Sequence, residues 1–401
     1  MTRITFLLTQ SLSDPSGLGR YYPLAKELVK LGYQVSVLAL HPDLDSLAQR
    51  RLEVSGIHVH YVSQMHVRKT GSQKTYFGPW ALARVALAGS LRLGWQALLD
   101  KADVIHVGKP HPINGLAALG ARFLRGRDLY LDCDDYEAES NRFSGRWQKA
   151  MVALWEDRLP RLARGMTVNT RFTQQRYIAL GFPAARMVYV PNGVDRERFG
   201  HVDPHGYRVQ DLRRRLGLQD KRVVAYVGSM SLVNHPVDLL LDAFGAVREP
   251  CRDAVLLLVG GGEDYDALRR RAVELGLQEG AIFVGRVPPE EVPGYLSLAE
   301  VSVEPVRDDL AGRARSPLKI AESLAVGTPV VAGDVGDRRE MLGDGQAGLL
   351  VRPGDSSALA TGILTLLQDR ERAQAMRQSA LRLREGMYWD VLVKEFVKVY
   401  G

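Results

Sequence analysis

The sequence predicts an α/β protein built from two doubly wound, Rossmann-like domains facing each other across a cleft. Three observations predict it. The chain has 401 residues and 44.5 kDa, too long for one ordinary core. Short runs of Val, Ile and Leu alternate with helical patterns along its length, as parallel strands covered on both faces do. The alternation breaks once, in the polar stretch Arg196–Gln219, which holds no strand-like run.

In the first half the runs are Ile4–Leu8, Val35–Leu40, Val59–Val62, Val104–Val107, Leu129–Leu131, Met166–Val168 and Val188–Val190. The second half repeats the scheme with Val223–Val227, Val255–Val259, Ile282–Val284, Val301–Val303, Val330–Ala332 and Leu349–Val351. We therefore place an N-terminal domain at 1–198 and a C-terminal domain at 199–385, with an amphipathic segment over 386–401 packing back on the first. Ligands of such sheets lie at the carboxyl ends of the strands. Two such halves with a cleft between them suit a nucleotide-linked substrate.

Hydrophobic residues make up 46% and charged residues 25%, which fits a soluble globular chain and excludes disorder. Cys133 and Cys251 are far apart and match no metal spacing, arguing for a reducing compartment. The start runs directly into Ile4–Leu8 with no cleavable-signal pattern. Trp80–Leu99 is the one stretch that suggests a membrane span, but it contains Arg84 and Arg92, each unfavourable by about 2.5–3.5 kcal/mol in a bilayer centre. The net charge of +7 and the pI near 9.3 call for an anionic partner. Within Arg142–Arg164, residues Arg146, Lys149, Arg158 and Arg161 interleave with Trp147 and Trp155. With Arg68, Lys69 and Lys74 they form a basic, aromatic face suited to peripheral membrane contact, a solvated helix being the competing reading. No nucleic-acid motif is present, so no nucleic-acid partner is expected.

The chemistry concentrates in Arg313–Val331. Ser316 is a good N-cap and Pro317 a good first helical residue, so a helix start should offer free N–H groups to an anion. Lys319 lies in its first turn, against the helix dipole, where holding a pyrophosphate would explain it. Glu322, a turn further on, is placed to accept from ribose hydroxyls. In the first half, Gly17 and Gly19 allow close backbone approach, with Arg20 facing the cleft. His106 closes the run Asp103–His106 and is followed by Lys109 and His111. Leu131–Glu139 crowds carboxylates, Asp134 and Asp135 among them. Such groups raise one another's pKa and can orient or deprotonate an acceptor hydroxyl.

The run Leu318–Val331 resembles the donor-binding signature of the family 4 retaining glycosyltransferases, which have the GT-B fold. Four further blocks resemble that family in order: Ser16–Arg20, Val190–Asp195, Phe283–Val287 followed by Tyr295–Val303, and Asp344–Asp355. The resemblance implies a donor site from Gly17, Gly19, Arg20, Gly228, Ser229, His235, Gly261, Arg286, Val287, Arg313, Arg315, Ser316, Pro317, Leu318, Lys319 and Glu322. It implies catalytic roles for His106, Asp134, Asp135 and Lys319. The chain departs from the family pattern at Ala314, where a first glutamate is usual, and at Ser229 and His235, where an arginine and a lysine are usual. Lys319, Arg313 and Arg315 are the expected substitutes, with His235 contributing when protonated. The implied function is retaining transfer of a hexosyl group from a nucleoside-diphosphate sugar, UDP favoured over GDP, to a hydroxyl of a glycan, lipid-linked or small-molecule acceptor. No cofactor and no essential metal are expected, and the implied location is cytoplasmic, at the inner face of the membrane, in envelope or polysaccharide synthesis. The rival readings are a non-catalytic nucleotide-sugar-binding protein and a sugar-nucleotide epimerase on the same fold.

Overall fold

The structure, a computed structural model, describes residues 2–14, 16–70, 73–141, 143 and 145–401. It forms two compact units: unit 1 is residues 1–191 with 392–401, and unit 2 is residues 192–391. The first boundary lies upstream of residue 198 because Val194 already bridges to Tyr388. Val194 N donates to Met387 O at 2.9 Å and Trp389 N to Val194 O at 3.1 Å. The same bridge keeps 386–391 in unit 2, so the return to unit 1 begins at Leu392.

The strands of unit 1 are β1 (Arg3–Leu8), β2 (Gln34–His41), β3 (Arg51–Val54), β4 (Ile57–Gln64), β5 (Val67–Thr70), β6 (Gln73–Tyr76), β7 (Val104–Gly108), β8 (Asp128–Cys133), β9 (Gly165–Val168) and β10 (Met187–Tyr189). Eight of them form one sheet in the order β10-β9-β8-β7-β1-β2-β4-β3, and β5 and β6 form a separate hairpin. All pairs of the large sheet are parallel except the edge pair β3–β4. Alternate residues serve its two faces. Leu7, Ile105, Val107, Leu129 and Leu131 pack with Leu93, Ala97, Ile113 and Ala117 of the helices 79–99 and 112–125. Phe6 and His106 face the other way, onto Phe396 of the returning segment. Helix 112–125 is closed by Gly126, whose φ of 64° is the left-handed conformation that ends a helix.

Unit 2 contains β11 (Arg222–Val227), β12 (Ala254–Val259), β13 (Ala281–Gly285), β14 (Val301–Glu304), β15 (Val330–Gly333) and β16 (Gly348–Val351). Their order, β13-β12-β11-β14-β15-β16, is all parallel and reverses direction of winding between β11 and β14, the arrangement of dinucleotide-type folds. The helix Leu318–Ala325 buries Ile320, Ala321 and Leu324 against one face. The helices 237–248 and 356–368 cover the other.

Candidate active site

The carboxyl ends of β11 and β14 meet where the strand order of unit 2 reverses, the place where open sheets receive ligands. Gly260 has φ 135°, and a β-carbon there would fall 1.9 Å from the Gly228 carbonyl oxygen. Only glycine lets these two loops touch. Gly228 N donates to Val259 O at 2.9 Å and Met230 N to Gly261 O at 3.0 Å, tying the loop after β11 to the loop after β12. β14 ends on Glu304, fully buried and held by Arg338 through Nε at 2.7 Å and Nη2 at 3.1 Å. Arg338 is equally buried and also donates to the carbonyls of Gly312 and Val335 at 2.9 and 3.0 Å. Burial opposes the charge on Glu304, but Arg338 outweighs it and holds the carboxyl below its usual range.

Helix 318–325 begins beside this pair, and no side chain caps it. Lys319 Nζ lies 4.0 Å from Glu304 Oε1, 3.4 Å from His235 Nδ1 and 5.2 Å from the centre of the Tyr226 ring. Its side chain is only 9% exposed. Burial lowers its pKa to about 8; Glu304 pulls the other way, and Arg315 and Arg338 push it down further. The charges here do not cancel: Lys319, Arg315 and Arg338 share Glu304, which Arg338 already engages on both oxygens. Such a spot attracts an anion. One turn along, Glu322 accepts from Arg198 Nη2 at 3.2 Å, and burial raises its carboxyl.

In unit 1 the strand order reverses between β1 and β7. β7 runs into Lys109, a non-glycine residue at φ 66°, a conformation unfavourable by roughly 1–3 kcal/mol and kept only where the surroundings impose it. Lys109 N donates to Asp132 O at 2.9 Å, and Asn114 Nδ2 donates to the carbonyls of Gly108 and Lys109 at 2.8 and 3.1 Å. Lys109 Nζ lies 2.7 Å from Asp135 Oδ2, 2.8 Å from Glu137 Oε1 and 3.4 Å from Asp134 Oδ1. Burial opposes this ammonium, yet the three carboxylates hold its pKa well above the usual lysine range. Burial also pushes the Asp134 carboxyl up to about 8, helped by Asp135 and Asp132 and opposed by Lys109. Oxygens of the three acids lie within 4.8 Å of one another, a spacing open to a metal ion. Lys109 stands among them and supplies the countercharge. Nearby, His111 accepts from Ile113 N at 3.4 Å at the start of helix 112–125 and stacks on His66 at 5.5 Å. Burial lowers the pKa of both rings, His111 to about 3.

Several residues stand elsewhere than the sequence suggested. His106 lies within β7, in register with Phe6 and Tyr130, because the strand continues to Gly108. It is fully buried, its ring 5.1 Å from those of both Phe6 and Phe396, and its Nδ1 is 2.9 Å from Tyr400 Oη. Burial lowers its pKa to about 4. His106 is a core residue. Arg20 is buried as well, gripping Asp132 through two bonds of 2.7 and 2.6 Å and the Val190 carbonyl at 3.2 Å. It braces unit 1 from within. At Gly17 a β-carbon would fall 2.3 Å from Ser11 O, so this glycine serves the packing of the turn on the loop after β1, and Gly19 is buried beside it.

Ser316 does not cap the helix, which starts at Leu318 with Pro317 in the cap position. Ser316 Oγ instead accepts from Asn192 N at 3.1 Å, and its carbonyl accepts from Asn192 Nδ2 at 2.9 Å. Arg313 turns to Asp308, with bonds of 2.7 and 3.1 Å on a half-exposed surface. Arg315 stays close, donating to the Asn234 carbonyl. Burial, followed by Lys319, Arg315 and Arg338, holds the His235 pKa well below its usual value, so it adds no positive charge at neutral pH. Ser229 contributes its carbonyl to Tyr226 Oη at 2.6 Å. A β-carbon at Gly261 would meet Arg286 Cγ at 3.0 Å; Arg286 is exposed and Val287 packs on the core. Sequence reasoning missed Glu304, Arg338 and the central place of Lys109. A glutamate closing the apolar run Val301–Val303 was the available signal.

A doubly wound protein with an anion-receptive strand end belongs, as a class, with nucleotide-dependent enzymes. Two family descriptions match this chain: "Glycosyl transferase 4-like domain" over residues 16–193 and "Glycosyl transferases group 1" over residues 221–369. The chain belongs to the family 4 glycosyltransferases of GT-B fold. It is 35% identical over 213 residues to the GDP-mannose-dependent alpha-(1-6)-phosphatidylinositol monomannoside mannosyltransferase of Mycolicibacterium smegmatis, covering 53% of this chain and 55% of that one. It is 33% identical over 241 residues to the D-inositol 3-phosphate glycosyltransferase of Nocardia farcinica, covering 56% and 52%. The chain thus spans little more than half the length of these curated relatives. Among solved structures, it resembles a sucrose-phosphate synthase of Thermosynechococcus elongatus (TM-score 0.77, 19% identity, 100% and 98% of the two chains). It also resembles HepE of Anabaena, solved with UDP and glucose (TM-score 0.74, 20% identity, 99% and 98%). At these identities the likeness is one of fold.

Proposed function

We propose that this chain is a hexosyltransferase that uses a nucleoside-diphosphate sugar, with GDP-mannose as its donor, to glycosylate a hydroxyl of a lipid-linked polyol. The observation that carries the reading is Lys319, a buried cation at a helix start whose nearest carboxylate is already engaged by Arg338. A diphosphate leaving group would supply the missing negative charge, with the first N–H groups of helix 318–325 and Arg315 beside it. The relatives' names favour GDP-mannose over the UDP expected from sequence. They also name phosphorylated inositols as acceptors, which suits a carboxylate cluster able to accept from several ring hydroxyls. In this reading Asp134 and Asp135 orient the acceptor. The bond from the sugar C1 to the diphosphate oxygen breaks, the bond to the acceptor oxygen forms on the same face, and the hydroxyl proton leaves with the diphosphate. No step draws on a metal.

The test is product formation from GDP-mannose, UDP-glucose and UDP-galactose with phosphatidylinositol acceptors, with and without EDTA, and NMR of the product anomer. An α-mannosylated lipid, formed equally in EDTA, is the expected result. An inverted anomer removes retention, and a product from UDP sugars alone removes the GDP assignment. Ala314 favours a second reading. It stands where the family usually has a glutamate and is 1% exposed, so no carboxylate reaches the sugar from there. A chain that binds donor and yields no product with any acceptor is then a nucleotide-sugar-binding protein.

A further inference from the structure

The helix Arg146–Arg158 lies in the basic, aromatic stretch expected to face a membrane. Parts of that stretch are engaged within unit 1. Lys69 is paired with Asp14 and Lys149 with Glu139 at 2.7 Å. Trp155 is packed so tightly that a β-carbon at Gly115 would come 2.9 Å from it. Arg142 and the side chain of Lys74 lie outside the described part of the chain. Among the described residues no helix is long and apolar enough to cross a membrane. On its inward side helix 146–158 carries a group that the proposed reaction does not use. This is Glu156, fully buried one turn along from Val152.

Both oxygens of Glu156 are committed to backbone. Oε1 accepts from Glu137 N at 2.7 Å and Oε2 from Ala138 N at 2.9 Å. These two N–H groups open the single helical turn Glu137–Ser140 and find no partner within it. Among the described residues no lysine or arginine reaches Glu156 at ion-pairing distance. Burial, then Glu137, push its carboxyl up to about 8, against the two N–H bonds and Arg176. An apolar side chain of the same size would fill this space with less desolvation to overcome. What the carboxylate supplies is position. The next residue reaches the same segment by a second route: Asp157 pairs with Arg176, whose guanidinium lies 4.2 Å from the centre of the Tyr136 ring. Asn169 Nδ2 adds a third hold on the Asp134 carbonyl.

The segment needs holding. Oxygens of Asp134, Asp135 and Glu137 lie within 4.8 Å of one another, and like charges at that spacing repel. Lys109 stands among them, yet Asp134 Oδ1, 3.4 Å from its nitrogen, makes no hydrogen bond. The Glu137 carboxylate is the link. It lies 2.8 Å from Lys109 Nζ, which lies 2.7 Å from Asp135, so fixing the backbone of Glu137 fixes the lysine and the acids around it.

We infer that Glu156 is a positioning residue for the acceptor: by pinning Glu137 N and Ala138 N it sets where the Asp134 and Asp135 carboxylates stand, while touching no substrate itself. The inference rests on the proposed function, in which those carboxylates orient the acceptor hydroxyl. Glu156→Gln tests it, because the amide keeps the size but turns its own N–H toward one of the two backbone donors. The Glu137 and Ala138 amides should then exchange their hydrogens at least about tenfold faster. With GDP-mannose as donor, kcat/KM for phosphatidylinositol should fall at least about tenfold, while GDP affinity, read by calorimetry, stays as it was. Val152→Ala is the control: it thins the core under the same helix and removes no bond to the segment. It should lower the melting temperature and leave kcat/KM for the acceptor unchanged. Arg176→Met, which loosens only the hold on Tyr136, should give a smaller loss in the same direction, and it carries the test if Glu156→Gln does not fold. Unaltered kcat/KM in the variant that carries the test overturns the assignment, as does an equal loss in Val152→Ala. An unmodified chain that transfers sugar to no acceptor overturns the proposed function as well.

Discussion

Lys109 directly follows β7, and Lys319 lies in the first turn of helix 318–325 in the connection after β14; each of these strands stands where the strand order of its sheet reverses. Each is about nine-tenths buried, yet the two are shifted in opposite directions. Lys109 faces three carboxylates and is held firmly charged. Lys319 shares Glu304, already paired with Arg338, with two arginines; Glu322 is itself paired with Arg198, and burial lowers the Lys319 pKa to about 8. The same residue type, buried near the strand-order reversal of each sheet, is thus a strut in unit 1 and, in the proposed function, the receptor in unit 2. Burial alone does not tell a structural lysine from a ligand-binding one; the count of nearby opposite charges does.

Removing each lysine should separate the two roles. Lys109→Met leaves carboxylates buried without their cation, so stability should fall by about 3–5 kcal/mol, read in a denaturant melt. Lys319→Met should act in reverse. The melting temperature should hold or rise, because a desolvated charge is gone, while nucleoside-diphosphate affinity drops roughly a hundredfold, read by calorimetry. If affinity is unchanged, Lys319 is not the receptor.

A smaller effect follows from pH. Bound diphosphate raises the Lys319 pKa above its free value of about 8, so affinity should be steady below that pH. Above it, affinity should fall by up to about tenfold per unit. Calorimetry at pH 7 and 9 measures this, and a Lys319→Met variant should lose the dependence. The smallest effect belongs to His106→Phe, which keeps the aromatic packing and removes the bond to Tyr400. It should lower stability by about 1 kcal/mol and leave turnover in the proposed reaction intact. A large loss of turnover in a well-folded variant would return His106 to the active site.

The fold was legible where burial is written locally. Each strand-length apolar run falls on a strand of one of the two large sheets, because parallel strands covered on both faces need continuous apolar sequence. The edge strand β3 and the hairpin β5–β6 escaped that reading. β3 is exposed or half-exposed along its length, and Val67–Thr70 is mostly polar. The same continuity explains His106: in a strand buried on both faces, alternation gives no sign of where the strand stops. Lys319 could be read because a cation in the first turn of a helix conflicts with the dipole. Its setting could not. Glu304 meets Arg338 from 34 residues away and Arg20 meets Asp132 from 112, pairings that only the folded chain creates.

The segment 392–401 carries one more consequence. Phe396 and Tyr400 complete the aromatic layer around Phe6, His106 and Tyr130, yet the ribosome makes them only after every residue of unit 2. Until then the part of the sheet face that carries Phe6, His106 and Tyr130 lacks the two rings that complete its layer. Unit 2 is one uninterrupted stretch, 192–391, and needs no such returning segment. Completion of the aromatic layer of unit 1 thus waits until segment 392–401 has been made.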